Sequence, residues 1–148
     1  VGLAAAKGFC YALNIPLITI NSLQIIAFAV KDEAIDMICP LIDARRMEVF
    51  TALYDKELRE KISPHALVVD ENSFVPFLLQ GKVLFCGNGV KKLMPLISNG
   101  NARFSHTMPD ASHLARLSIN CYNNKEFADL AYAEPLYIKE FYSASSRK

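Results

Sequence analysis

The sequence predicts an α/β protein built on a mixed β-sheet with helices on both faces. Three observations lead there. Residues 37–124 alternate between apolar runs of strand length and runs of helical period, in the order β-β-β-α-β-α-β-α. Three strands in succession imply antiparallel hairpins, and the later alternation implies strands linked through helices. In "MEVFTALYD", Val49, Thr51 and Leu53 alternate with Phe50, Ala52 and Tyr54. Both faces of that run are largely apolar, as in a central strand covered on both sides.

Each element has its own signal. In "VGLAAAKGFCYALN", Leu3, Ala6, Cys10 and Leu13 recur at three- and four-residue spacing, which is a helix face. "IPLITI" follows as a short, β-branched, buried strand, and "SLQIIAFAV" as a second helix with Ser22 as its N-cap. A chain that opens in mid-pattern looks like the end of something longer. Residues 1–36 are therefore expected to be the remnant of an N-terminal half-domain, and residues 37–148 a second half-domain. "MICPLIDA", "MEVFTALYD" and "LREKISPHALVV" are the three successive strands, the third interrupted at Pro64. "ENSFVPFLLQ" is a short helix, "KVLFCG" a buried strand, "GVKKLMPLIS" a helix and "ARFSH" a strand. "DASHLARLSINCYNN" is an amphipathic helix expected to bury Leu114, Leu117, Cys121 and Tyr122, with Asp110 or Ser112 as cap. The tail "DLAYAEPLYIKEFYSASSRK" is apolar up to Phe141, then small and polar. This order is that of a ribonuclease-H-like half-domain of the actin-like ATPase superfamily, which includes hexokinase and the sugar kinases.

Composition excludes several functions. Hydrophobic residues make up 52% of the 148 and charged residues 21%, a globular balance. The net charge of +1, from 16 basic and 15 acidic side chains, is too even for a protein whose task is gripping nucleic acid. Lys91-Lys92 and Arg147-Lys148 are solvated surface on this reading. Cys10, Cys39, Cys86 and Cys121 are widely spaced, and three of them sit in apolar runs, which fits a reduced, cytoplasmic setting. Residues 8–30 carry no charge, but Asn14 and Pro16 break the stretch, so helix–strand–helix is expected and not a membrane span. No signal peptide is visible in the sequence.

Candidate chemistry is sparse. His65, His106 and His113 lack the H-x-x-x-H spacing that places two imidazoles on one helix face, so they read as surface or capping residues. No G-x-S-x-G marks a nucleophile. Gly87, Asn88 and Gly89 stand between a strand and a helix, where glycines let a phosphate approach backbone N–H groups. A plain strand-to-helix turn explains them as well. Asp43-Ala44-Arg45-Arg46 sits where two apolar strands meet, and could be a catalytic turn, a phosphate-facing turn or the wet end of a hairpin. In the actin-like group the turn between the first two strands of each half holds phosphate or metal through Asp and Gly. Here Arg45 and Arg46 occupy positions where small residues would let a phosphate approach. A structural turn with a partner-facing role is the favoured reading, with Asp43 pairing to Arg45 or Arg46.

"VGLAAAKGFCYALNIPLITINSLQ", "PLIDARRMEVFTALYD", "FCGNG" and "AEPLYIKEF" together resemble the TsaB (YeaZ) family. The likeness runs over essentially the whole chain. Its most specific parts are the D-A-R-R-x-E-V-F hairpin and the helix to I-P-L junction. The resemblance implies two ribonuclease-H-like halves and a non-catalytic scaffold and activator of TsaD in threonylcarbamoylation of tRNA adenosine. It implies TsaD, TsaE and TsaC as partners, tRNA met only through the complex, and no cofactor beyond weak ATP or ADP at the complex interface. Self-association as a homodimer stays open. Asp43, Arg45, Arg46, Gly87, Asn88 and Gly89 are the expected nucleotide- or partner-facing residues. The alternative is an ATP-dependent phosphotransferase of the sugar-kinase type, using Asp43 and the glycine turn. A glycopeptidase-type metallopeptidase is more remote, because no metal-ligand pair accompanies it.

Overall fold

The computed structural model describes residues 1–139; the polar end of the tail, with Arg147-Lys148, lies outside the described residues. Helix α1 (Gly2–Leu13) and helix α2 (Ser22–Ala29) precede strands β1 (Met37–Asp43), β2 (Glu48–Asp55) and β3 (Glu60–Val68). Helix α3 (Val75–Leu78), strand β4 (Val83–Cys86), helix α4 (Val90–Leu93), strand β5 (Ala102–Phe104) and helix α5 (Ala111–Asn123) follow. The five strands form one sheet in the order β3-β2-β1-β4-β5. The pairs β1/β2 and β2/β3 are antiparallel, whereas β1/β4 and β4/β5 are parallel. The mixed sheet and the order of elements in residues 37–124 are as the sequence predicts.

Two cores lie on opposite faces of this sheet. On one face Leu41, Val49, Val83 and Phe85 pack under Phe74 and Leu78 at α3 and Val90 and Leu93 of α4. Phe85 has no exposed surface, and its ring meets Phe74 edge-on at 5.0 Å and stacks on Phe104 at 5.6 Å. Burying such a ring contributes about 1.5–3 kcal/mol. On the other face Ile38, Ala52, Tyr54 and Leu84 lie under Leu23, Ile26, Ala27 and Val30 at α2. Strand β2 feeds both, with Val49 and Leu53 to one side and Ala52 and Tyr54 to the other. Within the sheet Pro40 supplies no N–H, and the buried Thr51 hydroxyl donates to its carbonyl at 2.9 Å. Cys39 lies 3.3 Å from the same hydroxyl, and burial pushes its thiol up to about 12.

Several local expectations are corrected. "IPLITI" is not a strand. Only Leu17 forms an isolated antiparallel bridge, to Ala128, whose N–H donates to the Leu17 carbonyl at 2.8 Å. β-branched residues favour extension but need a partner strand, and none runs beside residues 18–20 among the described residues. The cap of α2 is Asn21, whose side chain accepts from the Leu23 N–H at 2.8 Å; Ser22 is the first helical residue. Helix α4 has a single turn, because Pro95 follows within two residues of its end. Strand β3 runs through Pro64 instead of stopping there. Pairing shifts from Thr51↔His65 to Leu53↔Ile62, so the extra residue is accommodated as a bulge beside the proline. In α1 only Cys10 is buried, and Leu13 is 64% exposed. In α5 only Leu117 is fully buried; Leu114 and Tyr122 are exposed and Cys121 is half-buried. Among the described residues no helix is long and apolar enough to cross a membrane.

Of the two expected caps, Asp110 and Ser112, it is Asp110 that caps α5. Its carboxylate accepts from the Ser112 hydroxyl at 2.6 Å and the Ser112 N–H at 2.8 Å, and His113 completes a capping box. These bonds, the Ser112 hydroxyl first, hold the Asp110 carboxyl at about 2. A lowered carboxyl stabilises the fold above the ordinary carboxylate range, near ~4, and loses that contribution as pH falls toward its folded value. Asp110→Ala should lower Tm by about 2–6 °C near neutral pH. The gap to the parent protein should close as unfolding is repeated from about pH 5 down to about pH 2.

Candidate functional site

Four segments converge at one corner of the sheet: the end of β1, the turn into β2, the glycine turn after β4, and α4. Asp43 stands at the end of β1. Its N–H donates to Asn88 Oδ1 at 2.9 Å, and its carboxylate accepts from the Arg45 N–H at 2.8 Å. Lys92 Nζ donates to the same carboxylate at 2.8 Å and to the Glu48 carbonyl at 2.9 Å. The Lys92 contact first, and the Arg45 N–H second, hold the Asp43 carboxyl below the usual carboxylate range.

The expected ion pair of Asp43 with Arg45 or Arg46 is thus corrected: its cation is Lys92, brought over by α4 from 49 residues along the chain. The backbone explains the difference. Arg45 and Arg46 have φ of 68° and 49°, two consecutive left-handed residues in the turn. That conformation costs ~1–2 kcal/mol for a residue with a Cβ. The turn is closed by Ala44 N–H to the Glu48 carbonyl and Glu48 N–H to the Arg45 carbonyl, both at 3.1 Å. Both arginine side chains are exposed, and among the described residues neither guanidinium pairs with an acid.

The glycines have a steric cause. Gly87 has φ 92°, and a Cβ there would lie 2.4 Å from the Leu41 carbonyl oxygen. The same oxygen accepts from the Gly89 N–H at 3.0 Å, and a Cβ on Gly89 would lie 3.0 Å from the Leu41 Cβ. The glycine turn therefore seats itself on β1, and α4 is held over Asp43 and Glu48 as a result.

Sequence reasoning brought Asp43, Arg45, Arg46, Gly87, Asn88 and Gly89 to attention, and the structure gathers all six into this corner. The expectation that Lys92 is solvated surface is corrected: its side chain is largely buried on Asp43 and the Glu48 carbonyl. Sequence reasoning missed Glu48, whose contacts join distant residues and leave no local pattern. It also missed Lys139, which pairs with Glu48. Next to the corner an apolar cleft of about 810 Å³ opens between α1, residues 17–25, the Ile42 and Phe50 side chains, and residues 134–139. The closing segment is tied across α1 by Lys7, which donates to the Ala131 and Ala133 carbonyls at 3.0 and 2.9 Å. Elsewhere His65 bonds the Ser63 carbonyl and His113 serves the α5 cap. No group of three or more His, Cys, Asp or Glu side chains among the described residues could hold a metal ion.

Gly87→Ala should destabilise the protein by about 2–4 kcal/mol in denaturant unfolding, combining left-handed strain with the clash on Leu41. Lys92→Met should return the Asp43 carboxyl toward ~3.9, read by NMR titration of its side chain. An unchanged titration would show that Lys92 does not govern this carboxylate.

Residues 1–136 match the model of a family described as TsaD: tRNA N6-adenosine threonylcarbamoyltransferase. Comparison with curated proteins gives no match. Among solved structures, one similar chain is an uncharacterized protein with similarity to peptidase YEAZ, from Pseudomonas aeruginosa. It has a TM-score of 0.77 and 23% identity, over 93% of this chain and 66% of that one. A second is YeaZ from Pseudomonas aeruginosa, with a TM-score of 0.75 and 23% identity, over 91% of this chain and 64% of that one. The chain thus spans just under two thirds of the length of these two structures. Matched along nearly its whole length by that family's model, and sharing its ribonuclease-H-like fold with YeaZ, the chain belongs to the TsaD family.

Proposed function

We propose that this protein is a YeaZ-type, non-catalytic scaffold and activator of a TsaD-type transferase in threonylcarbamoylation of tRNA adenosine. The observation that supports it is the internal engagement of the corner where the actin-like group holds phosphate. Asp43 is neutralised by Lys92, and the Gly89 N–H and the space above Gly87 are taken by the Leu41 carbonyl. A kinase of this fold needs the equivalent carboxylate and glycine turn turned toward nucleotide and metal. The match to a family described as a tRNA N6-adenosine threonylcarbamoyltransferase supports a place in tRNA modification. On this reading its partners are the transferase TsaD, the ATPase TsaE and the donor-forming TsaC, with tRNA met through the assembly. Weak ATP or ADP binding belongs at the complex interface, and the setting is cytoplasmic. Residues 1–36 belong to a first half-domain whose helix α2 covers the sheet of the second.

The metallopeptidase alternative would require a ligand set for a hydrolytic metal. His65 instead bonds the Ser63 carbonyl, and His113 completes the α5 cap.

Reconstitution with TsaC, TsaD and TsaE from the same source tests the reading. Modified adenosine should form with this protein present and fall to background without it. ATP titrated with Mg²⁺ into the protein alone should give no tight binding. Tight, Mg²⁺-dependent binding without any partner would instead make it a phosphotransferase.

A further inference from the structure

We propose that Asn99 is a site of spontaneous covalent modification. There the Gly100 nitrogen closes on the Asn99 side chain to form a succinimide, which water opens to aspartate or isoaspartate. The fold shields the second Asn-Gly pair, Asn88-Gly89, from the same reaction. The inference is independent of the scaffold reading.

The chain holds two Asn-Gly pairs, Asn88-Gly89 and Asn99-Gly100. Glycine favours the reaction because no Cβ crowds the attacking nitrogen. The bond from that nitrogen to the asparagine Cγ forms as the amide proton is lost. The side-chain nitrogen takes up that proton and leaves as ammonia. Water then adds to one of the two ring carbonyls and breaks its bond to the ring nitrogen. Opening at Cγ leaves aspartate. Opening at the main-chain carbonyl leaves isoaspartate, with the chain running through Cβ and Cγ.

The two pairs stand in opposite settings. Gly89 is buried and its N–H donates to the Leu41 carbonyl at 3.0 Å, while Asn88 Oδ1 accepts from the Asp43 N–H at 2.9 Å. Nucleophile and electrophile are each tied to β1, so attack requires the glycine turn to lift off the strand. Asn99 and Gly100 are exposed, at the end of the sheet where β1, β4 and β5 begin, away from the Asp43 corner. Among the described residues nothing accepts from the Gly100 N–H, and a Cβ on Gly100 would meet nothing within 4 Å. Asn99 Oδ1 accepts from the Asn101 N–H at 2.8 Å. That donor faces the oxygen on which negative charge gathers as Cγ becomes tetrahedral. Asn101 is itself anchored, its amide donating to the Leu78 carbonyl at 2.8 Å and its carbonyl accepting from the Val83 N–H at 2.9 Å. The Asn99 carbonyl accepts from the Ala102 N–H at 3.0 Å, which closes the turn into β5. Isoaspartate lengthens the main chain of this turn by a carbon and converts that carbonyl into a carboxylate, so the modification loosens the start of β5.

The test is incubation of the folded protein at mildly alkaline pH, followed by peptide mapping by mass spectrometry, beside the same incubation in guanidinium chloride. In the folded protein Asn99 should convert at least ~10-fold faster than Asn88, and in denaturant the two rates should converge, because only the fold protects Asn88. Gly100 lies outside the left-handed region and has open space around it, so Gly100→Ala should keep the parent Tm. Its Cβ should slow conversion at Asn99 by ~10-fold or more. Conversion of Asn88 as fast as Asn99 in the folded protein overturns the proposal. So does an Asn99 that stays intact in the folded protein while both pairs convert in denaturant. A Gly100→Ala protein of parent Tm that converts as fast as the parent overturns the succinimide route, and the proposal with it.

Discussion

The Leu41 carbonyl is the point on which the candidate corner depends. It accepts the Gly89 N–H and lies where a side chain at residue 87 would have to be. Because glycine stands at both positions, the turn after β4 can rest directly on β1. That contact sets the height of α4 above the sheet, and with it the place of Lys92. Lys92 then ties Asp43 to Glu48 from above, while Asn88 holds the Asp43 N–H from the side. One close approach of backbone to backbone thus orders the end of β1, the start of β2 and the turn between them.

The sheet beneath supplies the rigidity that such an approach needs. Strand β1 is central, flanked by antiparallel β2 and parallel β4, with a closed apolar layer on either side. Moving Leu41 would disturb Thr51 opposite it and Val49 and Phe85 in the same core. Packed cores resist small displacements, so the corner inherits its geometry from the interior. The opposite situation holds at α1. That helix buries only Cys10 and leaves Phe9, Tyr11 and Leu13 exposed, beside the apolar cleft. Ordered corner and apolar flank are therefore two different kinds of surface on one fold.

For function the contrast within the corner matters most. Acids and lysines pair inwardly, glycines are filled by a carbonyl, and the two arginines face outward on a strained turn. The Asp43 carboxylate and the Gly89 N–H are thus engaged within the chain.

By itself the sequence determined the fold class, the order of strands and helices in residues 37–124, the α5 cap to within Asp110 or Ser112, and the six residues of the corner. Those features are written locally, in hydrophobic period, turn residues and capping side chains. It also carried the family likeness, through the hairpin and the helix to I-P-L junction. Only the tertiary structure decided that "IPLITI" has no partner strand among the described residues, that β3 runs through Pro64 with a bulge beside it, and that Asp43 belongs to Lys92 and not to its neighbouring arginines. The reason is common to all three. Each outcome depends on which distant segment comes to lie alongside. Lys92 lies 49 residues from Asp43, a separation across which no local pattern can signal.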